Sequence, residues 1–339
     1  MRKVLVLGEL LMRLTPPNNL RLDQTSTLEM YFGGAEANVA IGLKNLGVET
    51  SIISAVPNNA IGNSAKAFLM SYGVNCDNVV TKGERLGLYY YEEGYGARSA
   101  NVIYDRKNSS ITEIEEEDLN FDNIFNEVEL LHVSGITFGL GENVKKISTK
   151  IINEAKKRNI KISIDLNYRA KLFESYEEFL EVLKPIVKDS YICFGWLTKN
   201  PKEFKFLDPS KDEVTDLALK EKFKYMTEEL GVKYVATTLR RANALNIHSL
   251  TGVLYAEGEI YRSSKYEFHM LSRIGGGDAF ATGVLKKILG NNVEDKSEII
   301  EFGIAAAVLK HAQRGDISLA SNDEINSLIS NKSLGSVNR

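Results

Sequence analysis

The chain of 339 residues holds only two cysteines, Cys76 and Cys193, and four histidines. There is no C-x-x-C, no H-x-x-x-H and no mixed Cys/His cluster, which argues against a structural zinc site or a disulfide framework. The cysteines read as buried thiols in a reducing compartment, and histidines 132, 248, 269 and 311 as packing or surface residues. Long apolar runs are missing too. Val4–Leu7, after Met1–Arg2–Lys3, is too short for a secretory signal, and no run reaches membrane-spanning length. A cytoplasmic location without a membrane partner is therefore expected. A net charge of −3 leaves no basic surplus for nucleic acid or an anionic lipid surface. Internal repeats, heptads and low-complexity segments are absent. So is G-x-G-x-x-G: the first apolar run is followed by Gly8–Glu9–Leu10–Leu11–Met12–Arg13, which removes the main support for a dinucleotide-binding fold.

What remains is an ordinary globular composition, 43% apolar and 26% charged, in a chain long enough to bury a full core. Val4–Leu7 has the unbroken aliphatic character of a central parallel strand. Residues 11–32, with Pro16–Pro17 and Asn18–Asn19, read as short strands and turns outside the core. Gly33–Gly34 opens a mostly apolar helix ending at Leu46–Gly47, with Asn38 one turn in, able to donate and accept toward a hydroxylated ligand. Helix-to-sheet packing explains that glycine pair nearly as well. Residues 51–56 read as a further core strand, and a helix through Leu69 follows.

Residues 86–93 and 100–106 form a predicted hairpin joined at Gly94/Gly96. Strand periodicity places Tyr89 with Tyr91 on one face, and Tyr104 with Arg106 on one face of the partner. That surface is either an ordinary solvated face or a lid over an anionic small molecule, with Arg106 as a carboxylate fork. The acidic run 113–118 reads as a solvated helix start, and Trp196 as a core residue. From Leu130 the pattern alternates as βαβ units do: strands at 130–134, 160–166 and 191–194, with helices over 142–158 and 175–187. Polar clusters follow strand ends at Asp165–Leu166–Asn167–Tyr168–Arg169, Thr198–Lys199–Asn200–Pro201–Lys202–Glu203 and Thr237–Thr238–Leu239–Arg240. Ligands of open parallel sheets bind at such ends. Short strands are expected around 246–268, a helix near 297–311, and poor order in the last dozen residues.

The stretch Gly275–Gly276–Gly277–Asp278 precedes a helix read over 279–289. Glycines let backbone N–H groups approach a ligand together, and a helix N-terminus favours an anion. Asp278 repels such an anion unless it serves as a base toward the hydroxyl that attacks it. For the four residues alone, a glycine turn with an aspartate cap is the better fit, and the rest of the chain shifts the balance.

Taken together, these segments resemble the ribokinase-type (PfkB) carbohydrate kinases over nearly the whole chain. Gly33–Gly34 with Asn38 resembles that family's sugar-binding motif. Asn200–Pro201–Lys202–Glu203 matches its N-x-x-E motif, and Gly275–Asp278 its G-A-G-D motif. The branch it resembles best is the 2-keto-3-deoxygluconate kinases, through the Gly87–Leu88–Tyr89 strand, Ile103–Arg106, Asp165–Arg169 and Leu309–Asp316. The resemblance implies a ribokinase-like three-layer α/β/α core (1–10, 34–85 and 113–330) and a small β-sheet lid (about 11–33 and 86–112). It implies ATP and Mg2+ as cofactors, a sugar acid as substrate, and a homo-oligomer formed through the lid. Asp278 is then the base, with Gly275, Gly276 and Gly277 as the anion hole. Gly33, Gly34, Asn38, Tyr89, Tyr104, Arg106 and Arg169 would hold the sugar acid, with Arg169 facing the transferred phosphate. Asn167, Asn200, Thr238 and Arg240, with Gly275 and Gly277, would meet ATP, and Glu203 would reach magnesium through water. Lys310 and Asp316 fit a surface role as well as a site role. The expected reaction is phosphorylation of the primary hydroxyl of 2-keto-3-deoxygluconate. Fructose, ribose or 2-keto-3-deoxygalactonate as substrate, or a catalytically silent sugar-acid sensor, are the alternatives. One departure stands out: Ser272–Arg273 occupies the place of the family's Asp–Thr.

Overall fold

The computed structural model describes residues 3–203, 214–242, 247–290 and 295–331. Strand β1 (Lys3–Leu7) lies inside a ten-stranded sheet and shows why its sequence is aliphatic throughout. Val4 and Val6 enter one apolar cluster while Leu5 and Leu7 enter another on the opposite face, and all four are buried. Full burial of each such side chain contributes about 1.5–3 kcal/mol.

Before the sheet continues, β2 (Leu11–Thr15) and β3 (Glu29–Gly33) leave the core. Helix α1 (Ala35–Asn45) then leads to β4 (Glu49–Val56), and α2 (Ala60–Ser71) to the short β5 (Val79–Thr81). β6 (Gly87–Glu92) and β7 (Asn101–Asp105) follow, outside the core again. The regular part comprises β8 (Val128–Ser134), α3 (Glu142–Lys157), β9 (Lys161–Asp165), α4 (Tyr176–Val187), β10 (Ile192–Phe194), α5 (Asp216–Lys224) and β11 (Tyr234–Ala242). β12 (Ile247–Ala256), β13 (Glu259–Arg262) and β14 (Tyr266–His269) come next, before α6 (Gly276–Ile288), α7 (Lys296–His311) and α8 (Asn322–Asn331).

The main sheet runs β13-β12-β11-β10-β9-β8-β1-β4-β5, with β14 also on β12. It is parallel from β11 to β5, and β12 pairs antiparallel with β11, β13 and β14. This is the ribokinase-like α/β fold: a large mixed sheet flanked by helices, with a small second sheet. The second sheet runs β3-β2-β6-β7 and is the expected lid, its strands falling within 11–33 and 86–112.

Lid register sorts its side chains cleanly. Tyr31, Arg13, Tyr89 and Tyr104 lie opposite one another in one cross-strand row; Met30, Leu14, Tyr90 and Ile103 form the next row, on the other face. Tyr89 and Tyr91 are buried on the inner face, as the alternation predicted.

Several local expectations change. The helix read as starting at 279 begins at Gly276, because Ala279 N–H already bonds Gly275 O at 2.9 Å. Residues 113–118 do not start a long helix. They form two 3-10 turns, Ser110–Glu113 and Glu116–Asp118, and Lys82 Nζ gathers Glu115 and Asp118 at 2.7 and 2.9 Å. Of the last dozen residues, Leu328–Asn331 are helical and the others lie outside the described residues. Cys76 and Cys193 are free and buried. Trp196 is half-buried, edge-on to Phe223. His132, His248 and His311 are buried, while His269 is exposed. Among the described residues no helix is long and apolar enough to cross a membrane.

Candidate active site

A cavity of about 360 Å³ opens between the lid's inner face and the carboxyl ends of β1, β8 and β9. Its floor is the glycine turn. Gly275 sits at φ 78°, and a Cβ there would stand 1.8 Å from Asp316 O, so only glycine fits. Gly276 is pressed against the His311 ring, where a Cβ would lie 2.3 Å from Cε1. At Gly277 a Cβ would meet nothing within 4 Å. The room there belongs to the cavity, and the first N–H groups of α6 have no intrahelical acceptor. Such a cradle suits a phosphoryl group at a helix N-terminus.

Asp278 stands on the first turn of α6 with one face toward the cavity. Asn38 Nδ2, from α1, donates to its Oδ2 at 2.6 Å, while Gly34 N–H reaches Asn38 Oδ1 at 3.4 Å. The glycine pair and Asn38, weak in sequence, thus become the support of the acidic residue 240 positions away. Burial pushes the Asp278 pKa up to about 7; the Asn38 bond opposes the shift, and Asp165, Glu36 and Asp316 add to it. A carboxylate poised at 7 exchanges a proton with a hydroxyl far better than one at 4.

Of the three polar strand-end clusters, the one after β9 reaches the cavity. Asp165, at the end of β9, is raised to about 6 by burial against the lowering charge of Arg169. Its Oδ1 accepts from Asn167 N–H at 3.1 Å, in a tight turn with Asn167 at φ 37°. Asn167 and Arg169 both line the cavity.

The lid is tied to this floor by buried ions. Asp316 accepts from Tyr89 Oη at 2.5 Å and pairs with Arg13 Nη2 at 2.7 Å, with both side chains of the ion pair almost fully buried. Arg13 lies 4.2 Å from the Tyr31 ring centroid and 5.5 Å from that of Tyr91. Behind the glycine turn Lys310 is wholly buried, its Nζ donating to Gln313 O at 3.2 Å; burial lowers its pKa to about 8. Asp316 lines the cavity and Lys310 lies directly beneath it, so the surface role weighed for both residues is corrected. Their burial follows from the chain folding back under Gly275 after α7.

Arg106 also needs correction as a free fork. It lines the cavity beside Tyr104, but its Nη2 is paired with Glu9 Oε2, and Ser109 Oγ donates to Glu9 Oε1 at 2.5 Å. Burial raises the Glu9 carboxyl above its ordinary pKa, with Arg106 the main opposing charge. Glu9 and Glu36 were missed in the sequence. Glu36 Oε1 accepts from Ser134 N–H at 2.9 Å and Thr137 Oγ1 at 2.7 Å, fixing the β8 end to α1. The available signal was an acidic residue two positions after a buried strand, and another directly after Gly33–Gly34–Ala35.

Other expected residues stand apart. Gly33 packs behind the cavity, where a Cβ would come 3.0 Å from Asp316 Oδ2 and 3.1 Å from Asn38 Oδ1. Thr238 and Arg240 belong to β11 and do not line this cavity. Arg240 lies within electrostatic reach of Arg273; desolvation, and then that like charge, lower its pKa. Asn200 Oδ1 accepts from Lys202 N–H at 3.1 Å in the turn after β10, and the Glu203 side chain lies outside the described residues.

A buried carboxylate at a glycine-lined helix N-terminus, facing a cavity under a lid, suits chemistry on a hydroxylated, anionic ligand. Residues 1–323 match the model of the pfkB family of carbohydrate kinases. The chain belongs to that family. The crystal structure of 2-dehydro-3-deoxygluconokinase from Thermotoga maritima is similar at 31% identity and a TM-score of 0.89, covering 97% of this chain and 100% of that one. A PfkB family carbohydrate kinase from Listeria grayi is 35% identical with a TM-score of 0.86, covering 97% and 99%. The 2-dehydro-3-deoxygalactonokinase of Haloferax volcanii is 26% identical over 325 residues, 95% of each chain. As a PfkB carbohydrate kinase, the chain combines a glycine turn at a helix start and a buried aspartate, Asp278, with a lid latched by Asp316 and Glu9.

Proposed function

We propose that the chain transfers the γ-phosphoryl group of ATP to the primary hydroxyl of 2-keto-3-deoxygluconate, giving the 6-phosphate. The observation that carries this reading is the Asn38–Asp278 pair beside the open face of Gly277. Asp278 takes the proton of the attacking hydroxyl, and Gly275–Gly277 N–H groups meet the charge that develops on the phosphoryl oxygens. Asn38 orients Asp278 and keeps its ionised form accessible near neutral pH.

The sugar acid lies along the lid. Tyr89 and Tyr104 flank it, and Arg169 with the Glu9-paired Arg106 supplies the positive wall for its carboxylate. Asn167, Thr238 and Arg240 belong to the nucleotide side. Asn200 and Glu203 act on magnesium through water. Among the described residues no group of three His, Cys, Asp or Glu side chains is arranged to hold a metal. Mg2+ prefers to keep most of its waters, so the ion is carried on the phosphates. When bound, Mg2+ neutralises phosphate charge.

The 2-keto-3-deoxygalactonate reading is favoured by the Haloferax relative, a 2-dehydro-3-deoxygalactonokinase. A silent sensor is disfavoured by the intact Asp278 and glycine turn. We also propose that two copies pair through the lids. Met30 and Ile103 are 55% and 46% exposed at the two ends of the outer row that also holds Leu14 and Tyr90. The exposed apolar ends of that row are what a second copy would cover.

ADP release with MgATP over 2-keto-3-deoxygluconate, its galacto epimer, gluconate, fructose and ribose tests the substrate assignment. Turnover confined to the keto-deoxy acids is expected. Preference for fructose or ribose would discard the acid-sugar assignment, and no turnover would bring the sensor forward.

A further inference from the structure

A second, smaller cavity of about 140 Å³ lies beyond the first, between the lid tip (93–100) and the segment 270–273. Among the described residues, Arg273 alone lines both cavities. It stands two positions before Gly275, whose left-handed turn starts α6, so the same short segment sets its place and that of the anion cradle.

The other arginines at these walls are committed. Arg106 pairs with Glu9, Arg13 with Asp316, and Arg98 donates to the carbonyls of Asn19 and Glu93. Arg169 donates to Tyr168 O at 3.3 Å and faces Asp165. Arg273 is exposed, with neither an ion pair nor a hydrogen bond to any described residue. The charged groups it acts on include Arg240 and His248, and each is made less basic by its field, after the larger effect of burial. A cation placed among other basic groups, next to three N–H donors, lacks an anion.

On the kinase reading above, we infer that Arg273 contacts the phosphoryl group in transfer, reaching across the partition between the two cavities to its non-bridging oxygens. A guanidinium suits that task because its planar fork meets two phosphate oxygens at once. The Ser272–Arg273 sequence, which departs from the family's Asp–Thr, then replaces one kind of charge control with another. No carboxylate stands at position 272, and a protein cation stands at 273. A carboxylate-anchoring role is the competing outcome, since the sugar acid occupies the same cavity.

Because Arg273 is exposed, Arg273→Ala and Arg273→Lys should fold as the parent does, which thermal melting checks. Two measurements separate the outcomes. In the ADP-release assay, Arg273→Ala should lose about 100-fold or more in kcat while the KM for the sugar acid moves less than about threefold, with Arg273→Lys in between. In titration calorimetry without sugar, the variant should lose at least about tenfold in affinity for MgATP and less than about twofold for MgADP, because only ATP carries the third phosphate. A large rise in sugar-acid KM with kcat retained would overturn the assignment in favour of a carboxylate anchor. Unchanged kinetics, or equal loss for both nucleotides, would also overturn it. Absence of turnover in the parent protein would count against the kinase reading itself, and the ATP-versus-ADP comparison would still decide the contact.

Discussion

On the core wall of the cavity, Asp278, Gly275–Gly277 and Asp165 stand at the ends of elements packed against the main sheet. On the lid wall, Tyr89, Tyr104 and Arg106 stand on or just beyond strands of a four-stranded sheet whose outer face leaves Met30 and Ile103 exposed. The core holds its groups by apolar packing and backbone geometry. The lid holds its groups by buried ions that reach back to Glu9 and Asp316. The difference teaches where each kind of function can reside. Groups that must not move are fixed by β-strand ends and a helix start; groups that must admit and release a ligand are fastened by a few polar contacts. Changes on the core wall should therefore appear in kcat, and changes on the lid wall in KM and stability.

The largest effect should come from Asp278→Asn. Turnover should fall by about 10³-fold with ligand binding kept, measured by ADP release and calorimetry. Near-normal turnover would erase the distinction between the walls at its strongest point. In the parent, kcat/KM should fall about tenfold per pH unit below about 7, because only ionised Asp278 accepts a proton. The stability consequence has the opposite sense. The folded-state pKa of Asp278 is raised, so ionisation favours the unfolded chain above the ordinary aspartate value, increasingly up to pH 7. Asp278→Asn should thus raise Tm by a few degrees at pH 8 and by less at pH 5.

Next in size is the Asp316 latch. Asp316→Asn leaves Arg13 buried without its counter-charge, a loss of about 3–5 kcal/mol for a buried pair, and Tm should drop accordingly. Sugar-acid KM should rise more than kcat falls. A pure kcat effect would place Asp316 with the core wall instead. The pair Glu9–Arg106 sharpens the same point. Arg106→Met alone should lower Tm and raise KM; adding Glu9→Gln should restore Tm and leave KM high, because the stranded buried carboxylate is gone but the cation is still missing. Recovery of KM in the double variant would mean that Arg106 serves only Glu9. The smallest catalytic effect belongs to the lid's outer face: Ile103→Asp or Met30→Asp should shift sedimentation toward the monomer, with kcat within about threefold. An unchanged sedimentation coefficient would remove the lid pairing.

The parts of this architecture visible in sequence are those with local causes. The aliphatic run of β1, the glycines before α1 and α6 and the alternating tyrosines of β6 each dictate their own conformation within a few residues. The strand-end cluster Asp165–Arg169 was legible from position alone. The polar contacts that give the site its character join distant residues: Asn38 with Asp278, Arg13 and Tyr89 with Asp316, and Glu9 with Arg106. None has a local signature, because a carboxylate that will be buried against an arginine looks, in the chain, like any solvated one. Asp316 illustrates this best. A Gly–Asp pair after a helix reads as surface, and only the fold-back beneath Gly275 puts it under the lid. The same reason explains why Arg106 reads as a free fork when Glu9, 97 residues earlier, already occupies it.

That fold-back has a consequence for synthesis. The floor of the cavity rests on Asp316 and His311, while its opposite walls were translated as early as Glu9. A nascent chain can close the main sheet and form α6 while the turn at Gly275 still hangs over nothing, and the lid has no anchor for Arg13 or Tyr89. A polypeptide stalled or cut before residue 316 carries the whole glycine motif and Asp278, yet lacks the carbonyl under Gly275 and the carboxylate that meets Arg13 and Tyr89.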